Sequence, residues 1–186
     1  MSSAPRDAAA PLVPELHPPG HDCLWHAPAL GAAEGPVVPG AALAPGVRVF
    51  HDGAPEALRL WPLRGGIGFA LQDFGGSYVS LALALPAEVM AGLSSRHVLR
   101  LTLRATQGAP VMRARVNLRC GPNVARMLRK IAPEGATLVV EHDLWHLPFD
   151  QALLREGWID ILAEPARQAR FGLADLSLSR RWRAEV

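Results

Sequence analysis

The residues best suited to chemistry in this chain are arginines on the polar phase of two alternating stretches, 96–105 and 111–120. Read as a hairpin closed by Thr106-Gln107-Gly108, with its turn between Gln107 and Gly108, these stretches set Arg104 opposite Val111 and Thr102 opposite Arg113. The same register sets Arg100 opposite Arg115 and Val98 opposite Asn117. Leu99, Leu101 and Leu103, with Met112, Ala114, Val116, Leu118 and Cys120, then point the other way. Like charges directly opposed across strands are unfavourable unless an anion or a carboxylate compensates. Arg100, Arg104, Arg113 and Arg115, with Arg119 and Asn117, therefore read as a face for an anionic or polyhydroxylated ligand, because guanidinium groups are planar bidentate donors. The structural alternative is neutralisation by Glu141, Asp160 and Glu164 on neighbouring strands. A one-residue slip of register would dissolve the pairing.

Aromatic rings supply the second kind of contact, since flat faces stack on sugars and bases. Trp158 alternates with Ile159 and Ile161 and reads as structural, whereas Trp145, in His142-Asp143-Leu144-Trp145-His146-Leu147-Pro148, is a candidate exposed ring and joins the ligand-binding set. Trp182, amid Arg180, Arg181 and Arg183, is placed to stack on an arginine or meet a partner. Neither His21-x-Cys23-x-x-His26 nor His142 with His146 has a zinc-site spacing, so no cofactor is expected; a structural calcium ion held by backbone carbonyls would leave almost no sequence trace. No catalytic residue is assigned either. Gly-x-Ser-x-Gly is absent, Gly65-Gly66-Ile67-Gly68 lacks the lysine of a phosphate loop, and no spacing fixes the separation of Asp143, Asp150 and Asp160.

The elements that must position these residues are short strands. Residues 1–46 carry nine prolines and read as an N-terminal arm without regular structure, disordered at its start and then packed on the domain with Trp25 as anchor. From residue 47 the period is two, giving strands at 47–51, 57–61, 67–74, 77–85, 96–105, 111–120, 137–142, 158–164 and 171–179. In 77–85 the leucine face is backed by Tyr78, Ser80, Ala82 and Ala84, small residues that suggest close packing or a shallow surface. Short helices are expected at 87–93, at 124–131 after Gly121-Pro122-Asn123, and at 150–156. Nine strands with such brief helices make an all-β, jelly-roll-type antiparallel sandwich over 47–186.

Composition sets the outer limits. The chain has 186 residues, enough for one domain with a sizeable core; it is 49% hydrophobic and 19% charged, too apolar for wholesale disorder. No stretch approaches the ~20 apolar residues of a membrane span. The net charge of +2 gives no sign of nucleic acid, and two cysteines with no leader-like N-terminus point to a cytoplasmic protein. One lysine among nineteen basic residues looks like the coding bias of a GC-rich bacterium.

Phe74-Gly75-Gly76-Ser77-Tyr78-Val79-Ser80-Leu81, Arg96-His97-Val98-Leu99-Arg100-Leu101, the run from Ala114 to Asn123 and Asp175-Leu176-Ser177-Leu178-Ser179-Arg180-Arg181 together resemble an uncharacterised alphaproteobacterial family over residues 15–186. That resemblance implies no activity. The ending Trp158-Ile159-Asp160-Ile161 and then 171–178 is similar to the last strands of galactose-binding-like sandwiches, the fold of many carbohydrate-binding modules. The expectation is thus a non-catalytic module for a glycan or another anionic ligand. The alternatives are an assembly protein docking on a protein partner through the same face and the N-terminal arm, or a hydrolase acting on a glycan.

Overall fold

The computed structural model describes residues 20–30, 34–106, 108–134 and 137–184. In chain order its elements are β1 (His21–His26), β2 (Gly35–Pro36), β3 (Ala41–Ala44), β4 (Val47–His51), β5 (Leu58–Leu63), β6 (Gly66–Gln72) and β7 (Val79–Ala84). After helix α1 (Ala87–Met90) come β8 (His97–Ala105), β9 (Met112–Cys120), β10 (Asn123–Lys130), β11 (Ala132–Glu134), β12 (Thr137–Asp143), β13 (Leu154–Ala163) and β14 (Gln168–Trp182). One sheet, A, runs β11-β12-β8-β14-β6-β5-β2 with β1 also on β14; the other, B, runs β10-β9-β13-β7-β4-β3. The chain passes between sheets at β2–β3, β4–β5, β6–β7, β7–β8, β8–β9, β10–β11, β12–β13 and β13–β14, so the all-β antiparallel sandwich expected from the alternation is the fold.

The apolar phases of the two sheets meet in one core. Val47 and Val49, Leu81 and Leu83, Val116 and Leu118, Ile159 and Ile161 come from sheet B; Leu99, Leu101 and Leu103, Phe69, Phe171 and Leu178 come from sheet A. Phe69 and Phe171 are cross-strand partners stacked at 5.1 Å between ring centroids.

Four expectations are corrected. β8 and β9 do not form a hairpin: β8 lies between β12 and β14 in sheet A, β9 between β10 and β13 in sheet B. Alternation fixes which face of a strand points to the core but not which strand lies beside it, and two strands facing each other across a core show the same pattern as two side by side. Gln107, at the expected turn, lies outside the described residues, while Thr106 is tied to β14 by its N–H to the Gly172 carbonyl (2.9 Å). The helix expected at 124–131 is β10, and Gly121-Pro122 is the two-residue turn that joins it to β9, with Cys120 paired to Asn123. Gly121, at φ +57°, supplies the left-handed first position that such turns favour. Third, within 21–46 the chain forms β1, β2 and β3, although regular structure was not expected there; residues 1–19 and 31–33 lie outside the described part. The expected helix at 150–156 is a single 3₁₀ turn, Gln151–Leu153, running into β13.

On the outer face of sheet A, Trp61 lies across Gly68, its partner on β6, with the Arg170 guanidinium 4.3 Å from the ring centroid on β14. A β-carbon at position 68 would stand 1.9 Å from Trp61 Cε2. Gly68→Ala is therefore expected to evict the indole and cost about 1–2 kcal/mol, seen as a lower urea midpoint together with a red shift of tryptophan emission.

Candidate functional site

The outer face of sheet B is a groove of about 1280 Å³. Its floor consists of side chains that alternate with core residues. Cross-strand pairing sets one row as Leu128, Arg115, Asp160, Ala82 and Arg48, from β10, β9, β13, β7 and β4 in turn. The next row is Arg126, Asn117, Trp158 and Ala84. From β4 to β9 the floor spans three strand spacings, about 14 Å. Ala82 and Ala84 keep it low in the centre, the shallow surface that the small-residue face of this strand suggested.

The walls come from connections. On one side are α1 and the residues after it, including Met90, Gly92 and Leu93; facing them are Gln151 and Leu154 to Glu156. Gln151 Nε2 reaches the Leu93 carbonyl at 3.5 Å and joins the two. α1 itself is too short to hold its place by intrahelical bonds. Arg180 of β14 fixes it, donating to the Val89 carbonyl at 2.9 Å and to that of Ala91. The same guanidinium meets Asp22 of β1, with Nη2 to Oδ2 at 3.1 Å. At the end of the groove Trp182 leans on His97, their rings 4.1 Å apart. Burial, together with the nearby Arg180 guanidinium, pushes the His97 imidazole below its ordinary pKa.

Asp160 is the polar centre of the floor. Its Oδ2 accepts from Arg115 Nε (3.1 Å), Arg115 Nη2 (2.8 Å) and Asn117 Nδ2 (3.0 Å). Asn117 also donates to the Arg115 carbonyl at 3.0 Å, so this buried amide locks the two strands beneath the site. Beside it Trp158 is half-buried, and Arg119, paired with Glu156 at 2.6 Å, stands 6.0 Å from its ring centroid, at the outer limit of a cation–π contact.

The predicted site residues are thus divided between two faces. Arg115 and Asn117 lie in or under the groove, and Arg113 is on the same sheet, paired with Glu164. Arg100 and Arg104 are on the opposite side of the sandwich: Arg100 meets Glu134 and Glu141 at 2.6 and 3.3 Å, and Arg104 meets Asp175. Arg100 and Arg115 do not oppose each other; their cross-strand neighbours include Glu141 and Asp160 respectively. Neutralisation by Glu141, Asp160 and Glu164 is what the structure contains. Trp145 is 59% exposed but lies at the end of sheet A, with Arg183 5.4 Å from its ring centroid, outside the groove. Asp143 pairs with Arg183 at 3.0 Å, Asp150 accepts from Ala152 N at 2.9 Å, and Asp160 is committed to Arg115. Among the described residues no cluster of three His, Cys, Asp or Glu side chains is arranged to hold a metal ion, and no helix is long and apolar enough to cross a membrane.

Residues missed by sequence reasoning are Trp158, Arg48, Arg96 and Arg155. For the first two a signal existed: Trp158 precedes buried Ile159, and Arg48 lies between buried Val47 and Val49, so each must face outward. Arg96 precedes β8 and Arg155 sits at the register shift that opens β13, where periodicity carries no information about direction.

Residues 21–186 match the family of unknown function DUF6478, and the chain belongs to that family. No curated protein matches it in sequence. Among solved structures it is similar to a family 11 carbohydrate-binding module from Clostridium thermocellum in complex with a β-1,3-1,4-mixed-linked tetrasaccharide (TM-score 0.49, 10% identity, 83% of this chain and 100% of that one). It is also similar to the enzymatically active domain of bacteriophage CBA120 tailspike protein 4 (TM-score 0.48, 6% identity), covering 72% of this chain and 19% of the phage protein. A third similar structure is a cyclase from Fischerella sp. TAU in complex with 4-(1H-indol-3-yl)butan-2-one (TM-score 0.41, 19% identity, 75% and 76% of the two chains).

Proposed function

We propose that this member of DUF6478 is a non-catalytic binding module that holds a glycan chain in the groove of sheet B. The observation that carries the reading is the groove itself: a low alanine floor beside a half-buried Trp158, rimmed by guanidinium groups. Its volume of about 1280 Å³ is above the roughly 300–1,000 Å³ that suits one small molecule, which favours an oligomeric ligand. The flat indole face suits a sugar ring, and arginine donors suit its hydroxyls. Both carboxylates that line the groove, Glu156 and Asp160, are held in ion pairs, so no acid–base pair is assigned. A protein-docking surface would instead favour a broad, exposed apolar patch.

Titration calorimetry against a panel of oligosaccharides tests this. Trp158→Ala is expected to weaken binding roughly tenfold or more while lowering stability by less than about 2 kcal/mol. Trp145→Ala, outside the groove, should bind as the wild type does. Equal binding by wild type and Trp158→Ala would remove the groove from the account.

A further inference from the structure

We infer that the glycan taken by this groove is acidic, and that Arg48, Arg96 and Arg155 are the residues that read its anionic groups; the inference rests on the glycan reading above. Five guanidinium groups line the groove, those of Arg48, Arg96, Arg115, Arg119 and Arg155, against two carboxylates, Glu156 and Asp160. Both carboxylates are spent on Arg115 and Arg119. Among the described residues the remaining three arginines have no carboxylate within ion-pair distance. Arg48 gives one N–H to the Gly40 carbonyl at 3.0 Å and keeps the other four of a guanidinium's five donors.

The groove gathers this excess on one concave surface. The whole chain carries a net charge of +2, so three uncompensated cations in one groove exceed the excess of the entire molecule. On the opposite sheet Arg100, Arg104 and Arg181 each meet an aspartate or glutamate, while Arg170, which has none among the described residues, is stacked on Trp61 outside the groove. A concave surface lined by one sign of charge concentrates ligands of the other sign. The three free arginines also come from separate places, β4, the residue before β8 and the second residue of β13. Arg48 is level with Asp160 across β7, whereas Arg155 lies at the start of β13, and cations so spaced suit charges repeated along a chain. The planar fork of arginine matches a carboxylate in two parallel hydrogen bonds.

The test is an array of immobilised oligosaccharides bearing uronate, sialate or sulfate groups, beside neutral chains of similar length and a single-stranded oligonucleotide. It is probed with the wild type, Trp158→Ala and the triple variant Arg48→Gln, Arg96→Gln, Arg155→Gln. The expected result is retention on acidic chains, weakened at least about tenfold in the triple variant and falling as salt rises from about 0.05 to about 0.5 M. The uronate and sulfate arms then separate carboxylate from sulfate as the group read. Unfolding curves of the triple variant should match the wild type, because none of these arginines holds a carboxylate. Retention of neutral chains as strong as that of acidic ones, unchanged in the triple variant but lost in Trp158→Ala, would overturn the acidic ligand and leave the groove reading intact. Retention on no glycan would overturn both. Preferential capture of the oligonucleotide would replace the glycan with a nucleic acid.

Discussion

Asp160→Ala is expected to lower the stability of the domain by about 2–3 kcal/mol in urea unfolding at neutral pH. The carboxylate is only 9% exposed and its Oδ2 receives three N–H donors, two from Arg115 and one from Asn117. Removing it strands a guanidinium and takes one acceptor from a fully buried amide, which keeps the Arg115 and Trp158 carbonyls. Breaking a buried pair costs ~3–5 kcal/mol, and the lower figure follows because the Arg115 side chain is 41% exposed and water recovers part of its solvation. The penalty comes from the orphaned partners more than from the lost attraction. The double variant Arg115→Met, Asp160→Leu should therefore regain at least half of the loss, since an apolar pair of similar volume leaves no charge unpaired and the Asn117 amide keeps its two carbonyl acceptors. Strictly additive losses in the two single variants and the double variant would contradict this account.

The second large effect is acid sensitivity centred on His142. The imidazole is fully buried on the inner face of β12, and its Nε2 lies 3.2 Å from the Ala114 carbonyl of β9. A carbonyl only accepts, so Nε2 carries the proton; Nδ1 has no partner, and protonating it would bury an unmatched N–H and a charge. Burial, opposed by the Ala114 hydrogen bond and assisted by the Arg129 charge, pushes the pKa down from 6.5 to about 4. The unfolded chain therefore binds a proton through the window between those values while the folded chain does not. Stability is fully present above about pH 6.5 and is lost as the pH falls towards 4, by about 3 kcal/mol in total. His97, also lowered by burial, contributes in the same direction. His142→Leu should flatten most of this slope in urea midpoints measured from about pH 7 to about pH 4. A slope unchanged in that variant would assign the acid loss to other groups.

How much of this was legible in sequence depended on which physical signal each residue obeys. Nine of the eleven strands described from Val47 onward could be read because one face of each is buried and the apolar residues alternate. β10 was misread because Val124, Met127, Leu128 and Ile131 fit a helical period, although Ala125 and Met127 alone face the core at period two. β1 to β3 were hidden by prolines that sit beside or at the ends of short edge segments. For the site, the shallow face of Ala82 and Ala84 was visible, and so were Arg115 and Asn117. The placement of β8 and β9 in different sheets was not, because neighbour choice depends on chain crossings that alternation does not encode. That one error placed Arg100 and Arg104 on the wrong side of the molecule.

β14 pairs with β6 along its first half and with β8 and β1 along its second, and so joins both halves of sheet A. Its partners lie at the far end of the described chain, with His21 opposite Arg181 and the Arg180–Asp22 bonds spanning 158 residues. During synthesis, then, sheet A cannot assemble until β14 has left the ribosome. β1 and β6 must wait with unpaired backbone edges until it emerges. Loops of that length slow folding towards the millisecond-to-second range of non-local β proteins. The nascent protein spends that interval exposed to aggregation, and a truncation inside β14 would remove the strand on which the rest of the sheet closes.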